Sequence, residues 1–216
     1  MKTKLSKKER TREMTIIAMF IAIIALLGLV PSGLGSSTLG FIKIAPNIEA
    51  TIIHIPVLIG AVLLGRKMGL YLGLAFGVIA NIAAFIYASP FFVYPWVAII
   101  PRLIFGLLIY DVTRLFLKFI KNKYLGVAVS FFVLTIIHTL LVLALLWTSF
   151  TMVMEYESLG AAFKPYLAFL VLYNIPLASV IEAALAAVIG GTVVIRLAQF
   201  LNKEEYLNKE EIKGWE

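Results

Sequence analysis

The sequence predicts an all-α integral membrane protein whose chain crosses the bilayer as six helices. Of its 216 residues, 62% are hydrophobic and 14% are charged, and the mean hydropathy is +0.99. A soluble domain carries roughly 25% charged residues, so a water-soluble fold of this size would leave much apolar surface exposed. The apolar runs lack the alternation of barrel strands, and helices are the other structure that satisfies its backbone groups in lipid.

Six apolar runs are long enough to cross about 30 Å of hydrocarbon. As predicted helices they lie near residues 14–30, 48–64, 69–87, 95–117, 125–147 and 167–199. The last run is longer than a span needs, so we expect its first turns to lie outside the bilayer or to bend at Pro176. The chain is too short for a membrane body plus a soluble domain, and residues 1–216 are expected to form one domain.

Lysine and arginine residues predict the orientation, since cytoplasmic loops carry an excess of them. With both termini in the cytoplasm, all but three of the 19 lysines and arginines fall on the inner side; the exceptions are Lys43, Arg102 and Lys164. The basic N-terminal stretch is interpreted as a retained cytoplasmic segment, because no clear cleavage site follows the apolar run. The net charge of +7 then indicates contact with inner-leaflet lipid and requires no nucleic acid partner.

The predicted outer loops are longer than the inner ones. They cover residues 31–46, 88–96 and 148–165, and the second contains Tyr94 and Trp96. Aromatic residues at this level are typical of a membrane interface. They are equally compatible with a lid over an outward-facing pocket, and both interpretations stay open at this point.

Arg102 is the most informative position, because a charge at a helix centre costs roughly 2.5–3.5 kcal/mol on insertion scales. It shares a helical face with Ala98 and Gly106. One interpretation is a clamp for a carboxylate or phosphate, since guanidinium is a forked and permanently charged donor. The alternative is an internal ion pair with Glu182 or Glu49.

Two further predicted helices carry polar groups near their outer ends. Asn47, Thr51 and His54 recur at i, i+4 and i+7 and predict one polar stripe on the second helix. On the third helix, a series of glycines at four-residue spacing (69, 73 and 77) predicts close helix packing. Asn81 continues that series toward the outside, where it is expected to face a pocket.

The last two helices add three polar residues. His138 on the fifth helix is interpreted either as an inter-helix hydrogen-bonding group or as a ligand contact. On the sixth helix Asn174 and Glu182 align, and Glu182 is expected to be a structural or gating partner. Convergence of polar groups in the outer half predicts a small-molecule pocket. Its candidate substrate-binding residues are Asn47, His54, Asn81, Tyr94, Trp96, Arg102, His138 and Asn174.

Helix 1 is apolar all round and carries Ala18, Ala22 and Ala25 at small-residue spacing. Such a stripe permits close packing on another membrane helix, either in a partner or within the same chain.

Several chemistries have no support in the sequence. The chain has no cysteine and two histidines, which makes a metal site improbable, and no cofactor is expected. It has no phosphate-binding Gly-x-x-x-x-Gly-Lys-Ser/Thr loop and no Gly-x-Ser-x-Gly nucleophile turn. We therefore expect neither an ATPase nor an enzyme, although an intramembrane enzyme using His54 or His138 as a base and a purely structural subunit remain competing hypotheses.

Across nearly its whole length the chain resembles the substrate-binding (S) component of energy-coupling factor (ECF) vitamin transporters. The resemblance is carried by the six short helices, the basic N-terminus and the stretch Ala18-Met-Phe-Ile-Ala22. Two further stretches, residues 54–65 (HIPVLIGAVLLG) and residues 101–106 (PRLIFG), look like the branch of pantothenate, folate and hydroxymethylpyrimidine carriers.

This resemblance implies a mechanism and partners. An S component binds its vitamin from outside, under its outer loops, and docks on a transmembrane T component that two cytoplasmic ATPases drive. It then topples in the membrane and releases the vitamin inward. Ala18 and Ala22 look like the small-residue motif that meets the T component, and the location implied is a bacterial cell membrane.

The vitamin is inferred from charge. Arg102 favours an anionic ligand, and pantothenate offers one carboxylate together with hydroxyl groups for the polar side chains. Folate is also anionic but needs more aromatic stacking surface, whereas neutral hydroxymethylpyrimidine gives Arg102 no role. Pantothenate is therefore the predicted ligand, and the other two vitamins remain alternatives.

Overall fold

The computed structural model describes residues 7–33, 38–45 and 48–200, with the backbone alone described at 7–10, 43–45 and 48–49. Asn47 lies outside the described residues. The elements in chain order are α1 Lys7–Leu29, β1 Phe41–Ala45, β2 Ile48–Thr51, α2 His54–Leu64, α3 Arg66–Ile86, α4 Pro95–Ala98, α5 Ile100–Phe119, α6 Lys123–Val153, α7 Leu159–Leu172, α8 Ile175–Leu185, a π-helical turn Ala186–Gly190, and α9 Gly191–Phe200.

The described part of the chain contains five helical segments that are long and apolar enough to cross a membrane. They are Thr11–Leu29, Arg66–Ile86, Pro95–Phe119, Lys123–Val153 and Ile175–Phe200. The apolar helices α2 and α7 are shorter, with 11 and 14 residues. This confirms a multi-pass, predominantly α-helical membrane protein. A total of six spans and the cytoplasmic location of both termini stay predictions.

The predicted helix at 48–64 is wrong in its first third. Residues 48–51 form β2, which pairs antiparallel with β1 so that Phe41 lies opposite Thr51 and Ile42 opposite Ala50. The β-branched residues Ile48 and Thr51 suit a strand, and the helix begins only at His54. Thr51 and His54 therefore do not share a helical stripe.

The predicted helix at 167–199 is also divided differently. The break falls just before Pro176, at Asn174, whose φ of 52° is left-handed and ends the preceding helix α7. Pro176 itself lies in the first turn of α8, where a missing N–H costs nothing. Helix α6 continues to Val153 and α7 begins at Leu159, so the loop predicted at 148–165 is reduced to a few residues.

The core lies where α2, α3, α5 and α6 meet. Its fully buried side chains include Leu58, Leu72, Phe105 and Phe131. Along the last span the π-helical turn ends at Gly190, against the ring of Phe131, so that α6 and the last span pack at close range. One extra residue in such a turn changes which side of the helix faces the core.

Helices α3 and α5 touch backbone to backbone, as the glycine series predicted. A Cβ atom on Gly73 would overlap the carbonyl oxygen of Arg102, and one on Gly69 would overlap the carbonyl oxygen of Gly106. A Cβ atom on Gly77 would lie 2.8 Å from the Cα atom of Ile99, which is also too close. These contacts fix the position of Arg102 along the axis of α3.

We predict that Gly73→Ala lowers the free energy of unfolding by about 1–3 kcal/mol, because overpacking forces the two backbones apart. Thermal unfolding of the detergent-purified protein measures this. Gly160→Ala is the matched control, since a Cβ there meets only the Ser158 hydroxyl at 3.8 Å. Equal melting temperatures for the two variants would contradict the prediction.

Candidate functional site

The side chain of Arg102 is buried near the start of α5 and folds back toward α4. Its Nη1 donates to the carbonyl oxygen of Ala98 at 2.6 Å and, more weakly, to that of Val97 at 3.4 Å. The Val97 carbonyl is available because Pro101, four residues on, has no N–H to give it. The proline at position 101 thus leaves a backbone carbonyl free to accept a hydrogen bond from Arg102.

The opposite edge of the guanidinium is free. Among the described residues neither Nε nor Nη2 of Arg102 has a hydrogen-bond partner, and Nε is buried. These two nitrogens form the parallel pair of donors that a carboxylate accepts side-on. Glu182 acts on Arg102 electrostatically, but the two form no ion pair within 4 Å, unlike the pair Arg66–Asp111 at 3.2 Å.

Two phenylalanine rings flank this cation. The Cζ atom of Arg102 lies 4.8 Å from the ring centroid of Phe76 on α3 and 5.8 Å from that of Phe92. Both distances are within the range of cation–π attraction. The rings partly compensate the buried charge and also restrict where the guanidinium can point.

Two stacked histidines adjoin Phe76 through His138. His54 at the start of α2 is fully buried, His138 on α6 is 5% exposed, and their rings stack with centroids 6.3 Å apart. The ring of His138 lies 5.7 Å from Phe76 and 4.7 Å from Phe105. Arg102, Phe76 and the histidines therefore form one continuous group at the centre of the bundle.

The histidines carry unused hydrogen-bonding capacity. Within the described ranges, both ring nitrogens of His54 and Nε2 of His138 are buried and have no partner. A buried polar atom without a partner costs roughly 1–3 kcal/mol, and such atoms are uncommon unless a ligand or water satisfies them. With the free edge of Arg102, they make this group the strongest candidate for a ligand site.

Glu182 on α8 links this helix to the β-hairpin of β1 and β2. Its Oε1 accepts a hydrogen bond of 2.7 Å from the backbone N–H of Thr51, the last residue of β2. The residue is half-buried. Its observed role is therefore a structural link between hairpin and helix.

The remaining predicted residues lie around the central group. The Asn81 side-chain nitrogen donates to the carbonyls of Phe92 and Val93, both at 3.0 Å. Where this loop meets α4, the ring centroids of Tyr94 and Trp96 lie 4.8 Å apart, and Trp96 Nε1 donates to the Thr148 hydroxyl at 3.2 Å.

Asn174 stands apart from these residues. It precedes α8, and in the described structure no hydrogen bond joins its side chain to Arg102 or to the histidines. The structure thus brings His54, Arg102 and His138 together, anchors Asn81 to the loop, and leaves Asn174 outside these contacts.

Sequence reasoning missed Phe76 and Phe105. Phenylalanine is common in any membrane helix, so composition gives no reason to single them out. Their positions do carry a signal: Phe105 lies three residues after Arg102 on the same helical face, and Phe76 lies between the packed glycines Gly73 and Gly77.

On α1, the small-residue stripe is divided between two surroundings. Ala18 and Ala22 are both exposed, on the same arc as Met19 and near Ile23. Ala25, the third residue of the stripe, is partly buried and packs against the core. Within the described residues, Ala18 and Ala22 are therefore the part of the stripe that stays exposed.

The chain is similar in sequence to known transport proteins. Residues 12–194 match the family described as "ECF transporter, substrate-specific component". A pantothenic acid transporter of Lactococcus lactis subsp. cremoris (strain MG1363) is 28% identical over 214 residues, which cover 91% of this chain and 98% of that protein. A pantothenate transporter of Leuconostoc mesenteroides subsp. mesenteroides is 34% identical over 121 residues, or 54% of this chain and 56% of that protein.

The match covers most of the chain and includes every residue of the central group. It confirms the resemblance that the sequence carries and excludes the intramembrane-enzyme alternative, since family and relatives are described as transport proteins. The chain belongs to the family of substrate-specific components of ECF transporters.

Proposed function

We propose that this chain is the pantothenate-binding subunit of an ECF-type transporter and that the free edge of Arg102 binds the pantothenate carboxylate. The observation that carries the proposal is a buried guanidinium with two parallel, unpaired donors. Pantothenate carries one carboxylate, and both relatives described above are named as transporters of this vitamin.

The rest of the ligand fits the remainder of the central group. Pantothenate has an amide and two hydroxyl groups, which match the unpaired nitrogens of His54 and His138. Its two methyl groups suit the rings of Phe76 and Phe105, which lie beside His138. Polar atoms aimed into an otherwise apolar enclosure are how small-molecule sites fix orientation.

The alternatives fit less well. Hydroxymethylpyrimidine is neutral and leaves the free edge of Arg102 without a partner. Folate carries two carboxylates, whereas Arg102 is the only buried lysine or arginine in the part of the chain that the structure describes. Asn47, Tyr94, Trp96 and Asn174 remain predicted contacts, for the outer part of the pocket.

The family is described as one component of ECF transporters, and this chain's sequence has no Gly-x-x-x-x-Gly-Lys-Ser/Thr loop for ATP. We therefore propose that it works with a transmembrane T component and two cytoplasmic ATPases in a bacterial cell membrane. The exposed stripe of Ala18 and Ala22 is the proposed contact with the T component, because small residues let membrane helices approach closely.

The first prediction concerns the carboxylate. The purified chain should bind pantothenate without partners, and Arg102→Ala should weaken binding at least about tenfold, as expected for lost charge-assisted hydrogen bonds. Panthenol, in which an alcohol replaces the carboxylate, should lose much less affinity on the same change. Titration calorimetry measures both ligands.

Arg102→Lys should recover only part of the affinity, because an ammonium keeps the charge but not the paired donors. Arg66→Ala is the matched control: its side chain is 65% exposed, and neither affinity should change. Equal losses for pantothenate and panthenol in Arg102→Ala would refute the carboxylate assignment.

The second prediction separates binding from stability. His54→Leu and His138→Leu should weaken pantothenate binding while leaving the melting temperature of the ligand-free protein unchanged or higher, because each removes unpaired buried nitrogen. Ser130→Ala is the control on the same face of α6. The Ser130 hydroxyl is paired with that of Thr113 at 3.2 Å, so its loss should lower stability and spare binding. Destabilised histidine variants with normal affinity would indicate a structural role.

The third prediction concerns α1. Ala18→Leu with Ala22→Leu should abolish uptake of labelled pantothenate in cells that supply the T component and ATPases, while binding by the purified chain stays normal. Ala184→Leu is the control, since Ala184 is an exposed alanine on a different helix. Normal uptake by the double variant would show that this stripe is not the docking face.

A further inference from the structure

We propose that Asn81 is a positioning residue for the carboxylate site: it fixes the loop between α3 and α4, and through that loop it sets the direction of the Arg102 guanidinium. This inference rests on the proposed function, in which Arg102 binds the carboxylate. It gives Asn81 a role different from the direct ligand contact that its place in the sequence predicts.

The first step is the hydrogen bonding of Asn81. A side-chain amide nitrogen has two N–H donors, and Asn81 uses its nitrogen on two consecutive carbonyls, those of Phe92 and Val93, each at 3.0 Å. Because Asn81 sits on α3, these bonds tie the loop to a helix whose glycines pack against the backbone of α5. A side chain so committed is not free to donate to a ligand as well.

The second step runs along the backbone from Val93. The next residue, Tyr94, accepts hydrogen bonds from the N–H groups of Val97 at 3.0 Å and Ala98 at 3.2 Å, and these bonds start α4. The carbonyls of Val97 and Ala98 are in turn the two acceptors of Arg102 Nη1. The backbone that Asn81 fixes is therefore continuous with the backbone that holds Arg102.

The third step is the aromatic contact. The ring of Phe92, whose carbonyl Asn81 holds, lies 5.8 Å from Cζ of Arg102, and the ring of Phe76 lies 4.8 Å away. Phe76 and Asn81 both belong to α3. Helix α3 thus positions both rings that flank the guanidinium. It carries Phe76 itself, and it holds Phe92 through the hydrogen bond from Asn81.

This segment needs an external anchor. Helix α4 has four residues and is separated from α5 at Ile99. Pro101 lacks the N–H that would bond to the Val97 carbonyl, so the segment forms fewer helical hydrogen bonds of its own than an uninterrupted helix would. Without Asn81, we expect the loop to sample other conformations and the free edge of Arg102 to point in several directions.

The test compares Asn81→Ala with the unaltered chain for pantothenate and panthenol, in the presence and absence of Arg102→Ala. Positioning predicts that Asn81→Ala weakens pantothenate about tenfold and panthenol less than about twofold. It also predicts almost no further loss when Asn81→Ala is added to Arg102→Ala, since the group to be positioned is then missing. Equal losses for both ligands, or additive losses in the double variant, would overturn the proposal in favour of direct contact or general destabilisation.

A second measurement does not depend on any ligand. The chain contains no cysteine, so Val93→Cys gives one labelling site in the loop. Its maleimide labelling should become several-fold faster when Asn81→Ala is added, whereas labelling at Met154→Cys, in the loop before α7, should not change. An unchanged rate at position 93 overturns the proposal. If the unaltered chain binds no pantothenate, the proposed function fails, and the labelling rate alone then decides whether Asn81 anchors the loop.

Discussion

The buried guanidinium of Arg102 is the constraint around which the central group of the bundle is organised. A permanent charge in a low-dielectric interior needs compensation, and the described structure supplies it in pieces: two backbone carbonyls on Nη1, two aromatic rings, and Glu182 beyond ion-pair distance. None of these is an anion in direct contact. The charge is therefore not fully compensated at Nε and Nη2. A bound carboxylate would accept hydrogen bonds from both nitrogens and complete the compensation.

The packing of α3 against α5 follows from the same constraint. Gly69, Gly73 and Gly106 allow the two backbones to touch, which brings Phe76 within 4.8 Å of the Arg102 Cζ atom. A larger residue at Gly73 would push the carbonyl of Arg102 away and move the guanidinium relative to the ring. Close helix packing here is thus more than a source of stability, because it determines the distance between the cation and its flanking ring.

The sequence predicts some elements of the structure correctly and others only in part. The spans predicted at 69–87 and 95–117 agree with Arg66–Ile86 and Pro95–Phe119, because uniform apolar length is a strong signal. The first third of the prediction at 48–64 failed because β2 is defined by its pairing with β1, which apolar length does not reveal, and the left-handed conformation of Asn174 gives no apolar pattern to detect. In the site, charge and polarity made Arg102 and the histidines conspicuous. The bond from Asn81 to the loop backbone depends on the loop's path, which composition does not encode.

Under the proposed function, the unpaired groups contribute to the affinity for the ligand. The nitrogens of His54, His138 and Arg102 have no protein partner within the described residues, and buried polar groups without partners lower the stability of the folded protein. A ligand that supplies partners recovers this free energy without reorganising the site. It should therefore stabilise the folded protein by the linkage between binding and unfolding. Ala18 and Ala22 on α1 are exposed on the outside of the bundle, whereas these groups are buried inside it, so the proposed docking face and the proposed ligand site are separate parts of the same chain.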